Sequence, residues 1–166
     1  MKLKKQMGWV VTAAAVSAVA VSALAVAQTA TVAKSAAEAK TAIDTRQNLF
    51  KDIKKTYEPL GAMLKRQREL DPALVGTNAA QLQEMAGKIS ANYAVDTRQF
   101  KDIKTSARDG IWTSQADFKA KADEFVKASA AAVAASKGDN KAEILKSLAG
   151  IGKTCGGCHD SYRDEV

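Results

Sequence analysis

The stretch NKAEILKSLAGIGKTCGGCHDSYR, residues 140–163, decides the fold. Ile144, Leu145, Leu148, Ile151, Cys155, His159 and Tyr162 recur at three- and four-residue spacing, which is the period of a helix with one apolar face. Asp139 or Asn140 stands where such a helix needs an N-cap. The same stretch holds both cysteines and the single histidine of the chain, in the pentapeptide Cys155-Gly156-Gly157-Cys158-His159. C-x-x-C-H is the attachment pattern of c-type haem: two thiols add across the porphyrin vinyl groups and the adjacent imidazole becomes an axial iron ligand. On a helix Cys155 and His159 are i, i+4, so thioether and imidazole leave from one face. Bis-histidine ligation within the chain is excluded, because there is no second histidine.

Other readings of the pentapeptide fit less well. A thioredoxin-like C-x-x-C needs a βαβ setting, and no segment here alternates with a period of two. A structural zinc site takes four ligands, and the chain has only three soft or imidazole ones. A buried, inert cysteine pair is the bland alternative. Gly152-Lys153-Thr154 resembles the end of a phosphate-binding loop, but the glycine that loop needs at position 147 is Ser147.

The N-terminus has the pattern of a secretory leader. Lys2, Lys4 and Lys5 precede a run from Met7 to Ala25 without a charge, and Ala25-Val26-Ala27 suits cleavage after Ala27. Residues 1–27 are therefore read as a signal peptide and 28–166 as one haem domain. The alternative is an uncleaved anchor, since such a run could span a bilayer. Export implies the periplasm of a bacterium, where free C-x-x-C thiols would otherwise oxidise. The formal net charge is +7, and residues 1–27 hold three lysines and no acid, so the mature chain carries +4. This mild excess suggests acidic partners and not nucleic acid, because no Arg/Lys stripe is interleaved with aromatics. After cleavage no segment remains that would span a membrane.

Outward from the haem helix, Ala, Lys, Glu, Gln and Leu dominate and Pro is sparse, a helical composition. A first helix from about Ala36 to Glu69 carries Ile43, Phe50, Ile53, Tyr57, Leu60 and Leu64 on one stripe. Pro59 should kink or break it, and Asp71-Pro72 should end it. A second helix is expected from Thr77 or Asn78 to Tyr93, then a long, partly helical connection from Ala94 to Thr113. A third starts after Ser114, which with Asp117 has the form of a capping box, and stops at Gly138. Four amphipathic helices with one long connection predict an all-α four-helix bundle with the haem near one end. One oddity is internal: Asp44-Thr45-Arg46-Gln47 recurs as Asp96-Thr97-Arg98-Gln99, each copy followed by Phe-Lys-Asp-Ile-Lys, with two residues deleted in the second. The sequence offers no functional account of it.

A haem motif on the last helix, together with these features, resembles the class II c-type cytochromes, that is cytochrome c prime and its methionine-ligated low-spin relatives. The resemblance covers essentially the whole mature chain. Cys155 to Arg163 is similar to that family's C-x-x-C-H-x-x-[YF]-R; Arg46-Gln47-Asn48-Leu49-Phe50 is similar to its R-Q-x-x-x element; Gly110-Ile111-Trp112 resembles its I-W signature. The loop before Trp112 departs from the commoner Pro- or Gly-rich form. The resemblance implies one covalent haem c on Cys155 and Cys158, with His159 as axial iron ligand. It implies Arg163 beside the imidazole, Arg46 and Gln47 pairing with the propionates, and Phe50 on the distal side.

In the low-spin relatives the last residue of R-Q-x-x-x is a ligating methionine, and Phe50 cannot coordinate. The iron is therefore expected to be five-coordinate. Met63 lies about 20 Å of helix beyond Phe50, which leaves Met85 as the source of a six-coordinate, Met-ligated alternative. The functions that follow are electron transfer with redox proteins of the periplasm and binding of NO or CO. A peroxidase-like enzyme fits poorly, because the only histidine is already proximal. The resemblance leaves a homodimer open.

Overall fold

The computed structural model describes residues 30–165, so the expected leader, residues 1–27, lies outside the described residues. Helix α1, Ala36–Leu64, starts on Ser35, whose hydroxyl accepts from Glu38 N, and ends short of the expected Glu69. It runs unbroken through Pro59. A proline removes one N–H and crowds the preceding turn, yet the helix continues to Leu64. Asn78 Nδ2, on the neighbouring helix, donates to Thr56 O at 2.8 Å.

Helix α2, Pro72–Gly87, begins earlier than its apolar stripe suggests. Asp71 is the N-cap, with its side chain accepting from Leu74 N, and Pro72 takes the first position, where a missing N–H costs nothing. A turn at Lys88 separates α2 from a short α3, Ile89–Asn92, so the expected helix to Tyr93 is split. The connection beyond contains α4, Gly110–Thr113. It also contains strand β2, Val95–Asp96, which pairs in parallel with β1, Thr31–Val32. This two-residue ladder had no signature in the sequence.

Helix α5, Gln115–Ala135, follows Ser114, which makes no side-chain cap bond. The expected capping box does not form, and Asp117 instead accepts a hydrogen bond from Tyr162 Oη. Helix α6, Lys141–Tyr162, is capped by Asn140, whose side chain accepts from Ala142 N and Glu143 N.

Helices α1, α2, α5 and α6 form the bundle, in which α1 packs on α2 and α6, and α5 packs on α2 and α6. The core runs through Leu60, Val75, Leu82, Ala132, Ile144, Leu148 and Ile151, all fully buried. The all-α four-helix architecture expected from the stripes is the architecture present.

Candidate functional site

Helices α1, α5 and α6 bound a cavity of about 580 Å³ beside residues 155–159, a size suited to a bound cofactor. Helix α1 contributes Ile43, Phe50, Ile53 and Tyr57; α5 contributes Phe118 and Phe125; α6 contributes Cys155, Cys158, His159 and Tyr162. The two thiols and the imidazole, placed on one helical face by their spacing, all line this one space. Arg46, Gln47 and Arg163 line it as well, so every site residue read from the sequence meets at one cavity. Met63 and Met85 are not among its lining residues.

Apolar walls surround the reactive groups. Burial pushes both cysteine thiols up and favours the neutral form. Burial, then the charge of Arg163, holds His159 below the ordinary imidazole range, partly opposed by Asp160. A neutral imidazole has the lone pair that iron requires. Tyr57 is raised by burial and then by Cys155, and its hydroxyl points towards Leu148 O at 3.5 Å. Tyr162 is pushed up to about 12, first by burial and then by its bond to Asp117.

Arg46 is buried, and the structure gives it partners that the sequence did not suggest. Its Nε donates to Asn92 O at 2.8 Å, its Nη1 to Thr97 Oγ1 at 3.1 Å, and its Nη2 to Val95 O. The guanidinium also lies 4.6 Å from the Tyr93 ring centre and 5.3 Å from that of Trp112, within cation–π range. Arg46 therefore staples the segment after α3 to the cavity wall. Gln47 is exposed and donates weakly to Lys104 O at 3.4 Å. Trp112 is buried and donates from Nε1 to Tyr93 O, while Ile111 beside it reaches the cavity.

The end of α6 needs support, because Gly156 and Gly157 are exposed within it and each weakens a helix by about 0.5–1 kcal/mol. The segment before α4 supplies that support. Arg108 N donates to Tyr162 O, Arg108 Nη1 to Asp160 O, and Asp164 N to Ser106 O. Arg108 also pairs with Asp164 at 2.8 Å. This arginine satisfies late carbonyls of the helix that holds His159. Sequence reasoning missed it, since it sits in the poorly patterned connection with no motif around it.

Two thiols and an imidazole on one wall, aromatic and aliphatic side chains on the others, and cations at the rim suit a flat apolar macrocycle that bears two carboxylates. The donor set thus fits a haem c, and the fold and site together define a monohaem c-type cytochrome built on a four-helix bundle. Residues 41–163 match the family model described as Cytochrome C', and the chain belongs to the cytochrome c prime family. Like the family, it carries a covalent c-type haem. Cytochrome c-556 of Rhodopseudomonas palustris is 32% identical over 127 residues, which cover 74% of this chain and 83% of that protein. Cytochrome c' of Cereibacter sphaeroides is 29% identical and covers 79% of this chain and 88% of its own. Among solved structures, cytochrome c prime from Shewanella frigidimarina superposes with a TM-score of 0.70 at 30% identity, over 76% of this chain and 97% of that one. A nitric oxide complex of a cytochrome c prime variant from Alcaligenes xylosoxidans shares the fold, with a TM-score of 0.67 at 23% identity. No helix among the described residues is long and apolar enough to cross a membrane.

Proposed function

We propose that the protein is an exported, five-coordinate haem c protein of the periplasm, which transfers single electrons and takes up NO or CO. The observation that carries this reading is the wall of the cavity. Among its lining residues His159 is the only imidazole, no methionine is present, and the position where low-spin relatives carry a ligating methionine is Phe50. The haem supplies a reversible iron couple and an open coordination position. Cys155 and Cys158 would hold it, and His159 would ligate the iron. Phe50 adds an apolar ring to the cavity wall, which would make capture of water by the iron costly. Arg163 sets the charge beside the imidazole. Arg46 and Gln47 would pair with the propionates, with Arg46 also bound to the 92–97 segment.

The nitric oxide complex known for the Alcaligenes protein supports gas binding, and the cleavable pattern of residues 1–27 supports export. Pairing of two copies into a homodimer belongs to the same reading. The reading treats the protein as a carrier and not an enzyme, since His159, the only imidazole among the lining residues, would be taken up by the iron.

The test is an absorption spectrum of the oxidised and reduced protein with and without NO. High-spin spectra that change on NO addition, without loss of a protein ligand, are expected. A low-spin ferrous spectrum unaffected by NO or CO would defeat the reading. Haem staining on a denaturing gel should vanish in Cys155→Ala/Cys158→Ala.

A further inference from the structure

The charged side chains that line the haem cavity are all of one sign. Lys51 and Lys54 on α1, Lys121 on α5 and Arg163 at the end of α6 reach it, as does buried Arg46, and no aspartate or glutamate lines it. Among the described residues Lys51, Lys54, Lys121 and Arg163 form no ion pair, so their charges are not offset by a bound carboxylate. Asp117, the α5 carboxylate whose charge bears on Cys158, is tied to Tyr162 Oη. Four exposed or half-exposed cations therefore border the cavity, with no carboxylate among its lining residues. Two propionates would neutralise two of these charges and leave a positive mouth.

We propose that this rim is the docking face for an acidic redox protein, whose carboxylates meet Lys51, Lys54 and Lys121 and bring its own centre to the haem edge. The proposal rests on the electron-transfer reading above and adds to it the site and the charge of the partner. One electron passes between the two proteins in the docked complex, and no bond is made or broken. A one-signed rim beside a low-dielectric cavity focuses the field and raises encounter rates by about 10–1000-fold, an effect that salt removes.

The experiment has two arms. In the first, amide NMR follows titration of the haem protein with poly-L-glutamate, a readout independent of electron flow. Shifts centred on residues 51, 54 and 121 are expected. Shifts spread evenly, or centred on Lys65, Arg66 and Arg68 at the α1–α2 turn, overturn the proposal. In the second arm the reduced protein is oxidised by hexacyanoferrate(III), an anion, or by tris(phenanthroline)cobalt(III), a cation. Lys51→Glu/Lys54→Glu/Lys121→Glu should slow the anion about tenfold or more at low salt and speed the cation. Lys65→Glu/Arg66→Glu/Arg68→Glu should leave both rates within about twofold. Equal effects of the two triple variants would make net charge the cause and overturn the proposal. A protein that accepts poly-L-glutamate at the rim but exchanges electrons with neither complex would instead defeat the electron-transfer reading and leave the anionic docking face established.

Discussion

Arg46 Nη1 donates to Thr97 Oγ1 across 3.1 Å, so one copy of the Asp-Thr-Arg-Gln sequence grips the other. The first copy is helical, within α1, and the second lies in the β2 strand and the turn after it. Identical residues take different roles because their surroundings differ. Arg46 is buried and binds carbonyls and a hydroxyl, while Arg98 is half-exposed and pairs with Asp96 at 2.6 Å. The second copy also reaches the N-terminal segment, where Gln99 donates to Ala33 O and Ala33 N donates to Asp96 O.

Removing the Arg46 guanidinium leaves Asn92 O and Val95 O without their charged donor, and hydrogen bonds of this kind are worth about 1.5–3 kcal/mol. Arg46→Leu should lower the free energy of unfolding by about that amount in urea. Arg46→Lys should recover little, because an ammonium cannot fork to three acceptors. Faster hydrogen exchange at Thr31 N and Ala33 N should accompany the loss, since both bond to the stapled segment. Unchanged exchange there would remove the stapling role.

The Asp96 carboxyl is held below the usual carboxylate range, chiefly by the side-chain hydrogen bond from Arg98; burial opposes this, and the Arg98 backbone N–H and the charges of Arg98 and Arg46 add to it. Its folded value is depressed, so the stabilisation is complete above the unfolded value and is lost as pH falls through the folded one. The stability gap between the protein and Asp96→Asn should therefore be constant near neutral pH and close below about pH 4. Urea midpoints for both proteins across that range provide the check.

The bundle was legible because the stripes of four helices have the helical period, and the site was legible because Cys155, Cys158 and His159 carry a chemical motif in five residues. The errors fell where local chemistry overrode periodicity. Asp71 and Pro72 start α2 before its first core residue, Val75, so a stripe alone could not place the boundary. Asp117 has the spacing of a capping box, yet the Tyr162 hydroxyl competes for it from a helix distant in sequence. Arg108 and the β1–β2 ladder depend on contacts between segments far apart in sequence, which no local pattern records.

Ser129 is fully buried on α5 and its hydroxyl has no hydrogen-bond partner among the described residues. An unsatisfied buried hydroxyl costs about 1–3 kcal/mol, and alanine is also the better helix former. Ser129→Ala should raise the urea midpoint with no change in slope. A lower midpoint would mean that the hydroxyl is satisfied in solution.

A Cβ at Gly152 would lie 2.8 Å from Tyr57 Oη, so the Tyr57 hydroxyl occupies the space that a side chain at position 152 would take. Gly152→Ala should displace the phenol from the cavity wall and destabilise the protein. In a Tyr57→Phe background the obstacle is gone, and the same change should stabilise by about 0.5–1 kcal/mol through helix propensity. Thermal unfolding of the four proteins in the cycle measures this change of sign. A destabilising Gly152→Ala in both backgrounds would show that something other than the Tyr57 hydroxyl fills the space.

In the proposed five-coordinate reading, Phe50 is the residue that sets the coordination of the iron. It lines the cavity from α1, the helix that faces the α6 wall carrying His159, and it has no lone pair to offer. Met85 is half-buried against the core and does not line the cavity, and Met63 is buried beside the α1–α2 turn. Phe50→Met would put a thioether where the apolar ring stands. That variant should shift towards a six-coordinate, low-spin spectrum and a higher reduction potential, because thioether ligation favours ferrous iron. Its affinity for CO should fall, since the gas would then have to displace a protein ligand. Phe50→Leu should leave spin state and CO affinity close to those of the unsubstituted protein. A thioether-to-iron charge-transfer band in the unsubstituted protein would overturn the assignment and return Met85 to the iron, which would require α2 to shift towards the cavity.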